Sequence, residues 1–131
     1  MESDLKRIHT TALAILRDLG QCPATAFNEG LVSAKLRSIL EENSIENFQD
    51  KYGNIIAKIS GTQSTHRPIA YVAHMDHPGY EIVRIEDGFY VGKSLGGVPK
   101  AAANKGADCI SFDQDNNRYP CIIEPWDGGD E

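Results

Sequence analysis

Residues 69–76 read IAYVAHMD, an apolar run that stops at a histidine followed two positions later by an aspartate. The stretch Pro68 to Ala73 is nearly continuously apolar, which is typical of a strand covered by helices on both faces. Side chains two apart on a strand emerge on the same face, so His74 and Asp76 can reach one point in space. An imidazole binds a metal well when an acceptor holds its second ring nitrogen. The stretch therefore predicts a buried strand that ends in a His-x-Asp pair, with two interpretations: His74 is a metal ligand that Asp76 orients, or His74 is an ordinary hydrogen-bonded histidine.

Two helices are predicted upstream of this strand. Apolar residues recur at three- and four-residue steps from Ser3 to Leu19, and we expect Ser3 to cap this helix and Gly20 to close it in the left-handed conformation. Asn28 is the expected N-cap of the second helix. The apolar stripe of that helix consists of Leu31, Val32, Leu36, Ile39 and Leu40. We expect both helices to pack on the same sheet.

Short strands are predicted on both sides of residue 78. The turn at Tyr52-Gly53-Asn54 separates two β-prone runs, Phe48–Lys51 and Ile55–Ile59. Four further runs show no helical periodicity between them, which indicates a small all-β module: Tyr80–Ile85, Phe89–Lys93, Cys109–Asp113 and Tyr119–Ile123. Residues 98–105 form either a helical turn or a loop. The pattern as a whole predicts the α/β class, with one domain over residues 1–78 and a second over residues 79–131.

Two motifs together resemble a known family. The first is Asp-x-x-Gly-Asn followed by two hydrophobic residues and alanine, at residues 50–57, and the second is Ala-His-Met-Asp-x-x-Gly, at residues 73–79. Their combination and order resemble the dinuclear-metal aminopeptidases, in particular the glutamyl-aminopeptidase and tetrahedral-aminopeptidase branch of the zinc exopeptidases. The resemblance implies that residues 1–78 are the N-terminal part of a three-layer αβα zinc-exopeptidase sheet. It also implies that residues 79–131 begin the small inserted barrel-like β domain, which family members use for dimerisation and for shaping the substrate pocket.

The resemblance also implies a chemistry. Two zinc or cobalt ions in the complete enzyme would bridge a water and polarise the carbonyl of a peptide substrate, with His74 as a ligand and Asp76 as its orienting group. The family draws its other ligands and its glutamate base from a region after the inserted domain, so at most one ligand is present here. We therefore expect the first part of a longer, homo-oligomeric enzyme, with negligible peptidase activity in this chain alone. One departure is His77, where family members carry an acidic residue.

Two other functional classes compete with this interpretation. One is a non-catalytic assembly or binding module in which the β segment pairs with another subunit and the His-x-Asp motif is vestigial. The other is a hydrolase triad, which fails because no Gly-x-Ser-x-Gly occurs. The three cysteines are odd in number and lack C-x-x-C spacing, which argues against a zinc ribbon and a fully paired disulfide scaffold. We expect Cys109 and Cys121 to be small buried residues of their strands.

Composition restricts the partners. A net charge of −6 and a pI near 5.1 repel phosphate backbones, so nucleic acid is not expected as a partner. The sequence has no apolar run of bilayer-spanning length and an acidic N-terminus where a signal peptide would be basic, so we expect no membrane association and a cytoplasmic location. His9 and His66 are expected to be solvated, and the acidic residues after Ile123 to be exposed charges.

Overall fold

The computed structural model describes residues 2–62, 67–99 and 103–124, and it divides the chain into two compact units, Met1–His77 and Pro78–Glu131. The division falls one residue before the predicted boundary. The expectations for His66, for part of the 98–105 stretch and for the acidic tail from residue 125 onward lie outside the described residues.

The first unit contains two helices, as predicted. Helix α1 spans Glu2–Gly20 and helix α2 spans Gly30–Glu42. The predicted caps are wrong in detail. Ser3 and Gly20 are helical residues, and Gly20, the last residue of α1, does not take the left-handed conformation. The N-cap of α2 is Glu29, one residue after the predicted Asn28, and its side chain makes no capping hydrogen bond.

A short antiparallel hairpin packs against the second helix. Strands β1 (Asn47–Gln49) and β2 (Ile55–Ala57) pair with each other, and α2 contacts both of them, whereas α1 contacts α2. Arg37 Nε donates to Asn47 Oδ1 at 3.3 Å and ties the helix to β1. Within the described residues α1 has no contact with the hairpin, so the expectation that both helices pack on one sheet is wrong.

The predicted strand over residues 68–73 does not form. Residues 67–78 lie in neither a helix nor a strand, and Tyr71 and Val72 are 94% and 93% exposed. A strand forms by pairing with a neighbouring backbone, and in the described part of this unit β1 and β2 pair with each other and not with residues 67–78. The apolar pattern is typical of a segment covered on both faces, but among the described residues no strand pairs with it. The three-layer αβα architecture stays a prediction.

Two antiparallel hairpins make up the described part of the second unit. Strands β3 (Gly79–Glu86) and β4 (Phe89–Leu95) form the first hairpin, and β5 (Asp108–Phe112) and β6 (Arg118–Ile122) form the second. All four strands fall where the sequence predicts them. Asp87 and Gly88 both have positive φ, 49° and 84°, which is the conformation of a two-residue type I′ hairpin turn.

Candidate metal-binding site at His74 and Asp76

The segment that carries His74 is held by contacts with the loop before α2 and with α2 itself. The backbone N–H of His77 donates to the carbonyl of Ala24 at 2.7 Å, and its ring Nε2–H donates to the carbonyl of Cys22 at 3.2 Å. The hydroxyl of Ser33 lies 3.9 Å from Met75 Sδ. Ala24 and Ser33 are buried. Residues 75–77 are therefore fixed to the buried part of the unit even though the residues before them are exposed.

His74 and Asp76 are in direct contact. His74 Nδ1 lies 2.7 Å from the backbone carbonyl oxygen of Asp76 and 3.2 Å from its carboxylate Oδ1. Both of these oxygens can only accept, so the ring donates from Nδ1 and the proton of the neutral imidazole sits on that atom. The lone pair of the neutral ring is then on Nε2, which is the nitrogen that can bind a cation. The contact predicted from the His-x-Asp spacing is present, although the backbone that produces it is not a strand.

The His74 side chain is more exposed to solvent than the Asp76 side chain. The His74 side chain is 81% exposed, whereas that of Asp76 is 39% exposed. The partly covered carboxylate and the backbone carbonyl beside it hold one edge of the ring, while the other edge faces solvent. This is the arrangement of a histidine ligand and its orienting acceptor. It also leaves the ring accessible to a group brought by another segment or another molecule.

The described residues supply one oriented imidazole and not a complete metal site. No group of three or more His, Cys, Asp or Glu side chains in residues 2–62, 67–99 and 103–124 is placed to hold an ion. His77, which could have been a second imidazole ligand, uses Nε2 to bind the Cys22 carbonyl. His74 thus fits the role of a single ligand, and a dinuclear centre needs donors beyond those described.

The Asp50 to Asn54 part of the family-like motif has a structural role that sequence reasoning did not identify. Asp50 Oδ1 accepts hydrogen bonds from the backbone N–H groups of Tyr52 and Asn54, both at 2.9 Å, and Oδ2 accepts from the Asn54 side-chain amide at 2.9 Å. Gly53 has a φ of 92° and closes the turn. Hydrogen bonding, foremost from the Asn54 side chain, holds the pKa of Asp50 below its ordinary value.

The same loop occurs in the second unit. Asp113 Oδ1 accepts from the backbone N–H groups of Asp115 and Asn117 at 2.9 Å, and Oδ2 accepts from the Asn117 side chain at 2.8 Å. Asn116 takes the place of Gly53, with a φ of 61°. The signal that could have revealed both loops is the shared Asp-x-x-x-Asn spacing between two β-prone runs, with a residue that tolerates positive φ in the fourth position.

A shallow cleft in the second unit was also not predicted. It has a volume of about 370 Å³ and lies between the two hairpins; its lining residues are Ile82, Tyr90, Ser111, Phe112, Asp113 and Tyr119. Tyr119 Oη donates to Asp113 Oδ2 at 2.9 Å. This hydrogen bond raises the pKa of Tyr119, and the Asn117 amide together with the same hydroxyl lowers the pKa of Asp113. On the polar side of the cleft, the Tyr119 hydroxyl and the Asp113 carboxylate are therefore hydrogen-bonded to each other.

Comparison with known proteins found no matching family model, no matching curated protein and no matching solved structure. Among the described residues, neither helix is both long and apolar enough to cross a lipid bilayer.

Proposed function

We propose that the chain is the N-terminal part of a metal-dependent aminopeptidase, in which His74 binds one ion of a dinuclear centre and Asp76 orients it. The observation that carries the proposal is the pair of hydrogen-bond acceptors at His74 Nδ1, which leaves the Nε2 lone pair toward solvent. The order of the two motifs at residues 50–57 and 73–79 supports the same class. When bound, zinc or cobalt would activate a water for attack on a peptide carbonyl.

The residues of this chain have defined tasks in that proposal. Asp76 keeps the proton on Nδ1 through its carbonyl and carboxylate, so that Nε2 is available without a change of tautomer. The contacts of His77 with Cys22 and Ala24 fix the backbone that presents both groups. The remaining ligands and the proton-transferring glutamate would come from outside this chain, and we expect negligible hydrolysis of an aminoacyl-p-nitroanilide by it. A cytoplasmic location and assembly into a homo-oligomer through the β domain belong to the same proposal.

A zinc titration followed by NMR tests the metal assignment. We expect weak, saturable binding that perturbs the His74 ring first, because a single imidazole supplies one donor. The His74→Ala variant should lose this response. The matched control is His9→Ala, since His9 is an exposed imidazole of α1 in the same unit. Equal responses in the two variants, or a zinc response centred elsewhere in the wild type, would contradict the proposal.

One observation favours a second candidate, a non-catalytic assembly module. Ile69, Tyr71 and Val72 are all more than three-quarters exposed, and they belong to a segment with the composition of a central strand. A partner that supplies a strand would bury them. The two candidates differ in a simple measurement. For the assembly module we expect concentration-dependent association that the His74→Ala substitution leaves unchanged, and we expect no preferred zinc ligand. The peptidase assignment instead requires zinc binding at His74.

A further inference from the structure

Two of the three cysteines face each other across the second hairpin of the β unit. Cys109 on β5 is the direct partner of Cys121 on β6 in the antiparallel register. Residues that are directly opposite in an antiparallel pair have their side chains on the same face of the sheet. Both cysteines are partly exposed and both are free thiols. The strand register therefore brings two thiols together at one accessible position.

The hydrogen-bond pattern of the hairpin gives the separation of the two backbones. Ile123 N donates to Ala107 O at 3.0 Å, and Asp113 N donates to Asn117 O at 3.3 Å, so the pairs 107/123 and 113/117 each have one backbone hydrogen bond and occupy hydrogen-bonded positions of the ladder. Such pairs alternate along antiparallel strands, which makes Cys109 and Cys121 a hydrogen-bonded pair as well, with a Cα separation of about 5.5 Å. Disulfides span Cα separations of about 4.4–6.8 Å, so the two backbones are within range. The Cβ atoms of a hydrogen-bonded pair lie about 5.5 Å apart, so they must approach by about 1 Å for the bond to form.

Pro120 supports this assignment independently. It is the partner of Ile110, in the pair next to the two cysteines, and by the same alternation this is a pair without ladder hydrogen bonds. Proline has no N–H to donate, so it fits a position whose N–H would point away from the partner strand. Pro120 therefore agrees with a hydrogen-bonded position for Cys109 and Cys121.

The electrostatics of Cys109 agree with a neighbouring thiol. Burial raises the pKa of Cys109, and the nearby Cys121 and Asp108 raise it further. Because the thiolate is the reactive form, the raised pKa makes Cys109 slow to react at neutral pH and faster as the pH rises.

We propose that Cys109 and Cys121 are a modification site that forms an intramolecular disulfide by exchange with a small-molecule disulfide of the oxidised glutathione class. In the first step one cysteine thiolate attacks a sulfur of the small molecule, whose S–S bond breaks and releases one thiolate. The second cysteine, as thiolate, then attacks the protein sulfur of the mixed disulfide and releases the other. The protein thiols lose two electrons and two protons, and two small-molecule thiols form.

Cys22 provides the contrast within the same chain. It lies in the loop between α1 and α2, where its Sγ contacts the carbonyl of Asp18 at 3.5 Å. The first unit contains no second cysteine with which it could pair. Within the first unit, exchange at Cys22 therefore stops at the mixed disulfide, whereas exchange at the hairpin continues to an internal bond.

The internal bond would have a local structural effect. Residues 110–120 lie between the two cysteines and include the Asp113 to Asn117 loop and one wall of the cleft. Joining the strands restricts the unfolded hairpin and so stabilises the folded one. We expect the β5 and β6 amides to exchange with solvent on the order of tenfold to a hundredfold more slowly in the oxidised form.

The test is performed on the Cys22→Ser chain in a glutathione redox buffer. We expect the loss of both remaining thiols, a mass lower by two hydrogen atoms and a proteolytic fragment that joins Cys109 to Cys121, at every protein concentration. Each further single variant, Cys109→Ser or Cys121→Ser, should give only a glutathione adduct. The Cys109→Ala and Cys121→Ala variants repeat the test if serine disturbs folding. Glutathione adducts alone, linked dimers or two persistent thiols in the Cys22→Ser chain would overturn the proposal.

Discussion

Removal of the Asp76 carboxylate should weaken metal binding at His74 without abolishing it. The His74 ring has two acceptors at Nδ1, the Asp76 carbonyl at 2.7 Å and the carboxylate at 3.2 Å. Only the carboxylate is lost in Asp76→Ala, and the shorter hydrogen bond stays. Loss of an outer acceptor costs 10–100-fold in metal affinity in known sites. Because one acceptor remains, we expect the lower end, about tenfold, which corresponds to about 1.4 kcal/mol.

Two measurements on the same sample check this reasoning. Long-range nitrogen–proton NMR correlations report which ring nitrogen carries the proton, and zinc titration gives the affinity. We expect the Nδ1–H form in both the wild type and Asp76→Ala. The matched control is Glu46→Gln, which removes the same charge from an exposed residue of the same unit. A wild-type ring protonated on Nε2, or an equal loss of affinity in the control, would refute the proposed orientation by Asp76.

Three further predictions concern stability. Phe27 is 94% exposed and has a φ of 70°. The Phe27→Gly substitution removes backbone strain and loses little packing, so it should raise the free energy of unfolding of the first unit by about 1 kcal/mol in denaturant titration. The control Phe27→Ala keeps the strained backbone and should not stabilise the unit. The pKa of Asp113 is lowered in the folded chain, so its contribution to stability is complete above about pH 4 and is lost as the pH falls through the lowered pKa. Acid unfolding of wild type and Asp113→Asn should differ in that window, and identical profiles would contradict it. Asn116→Val should destabilise the second hairpin by about 1 kcal/mol, because a β-branched residue fits positive φ poorly, while Asn116→Gly should be close to neutral by thermal unfolding.

The elements that the sequence predicts correctly depend on local patterns. The periodicity of α1 and the alternation around Asp87-Gly88 refer to residues a few positions apart, and the corresponding helix and hairpin form. The 68–73 strand does not form: strand formation depends on pairing with a distant backbone, and in the described part of the unit these residues pair with none. The apolar composition of the segment indicates that it is suited to burial against other chain segments, but it does not indicate which segment pairs with it.

In the candidate site too, sequence predicts the contacts between near neighbours and misses those between distant residues. The two-residue spacing predicts the contact between His74 and Asp76, but not the backbone carbonyl that makes the shorter hydrogen bond. The link from His77 to the Cys22 carbonyl joins residues far apart in sequence, and no local pattern indicates it. Sequence reasoning also treats Cys109 and Cys121 as separate buried residues, since it predicts their strands but not the register that pairs them.

The two Asp-x-x-x-Asn loops at residues 50–54 and 113–117 are alike in a further respect: in each, the aspartate is satisfied mainly by groups from its own five residues. A loop whose hydrogen bonds are mostly internal depends little on the residues around it. We therefore expect that either pentapeptide can replace the other, or the loop of an unrelated hairpin, without a shift of strand register.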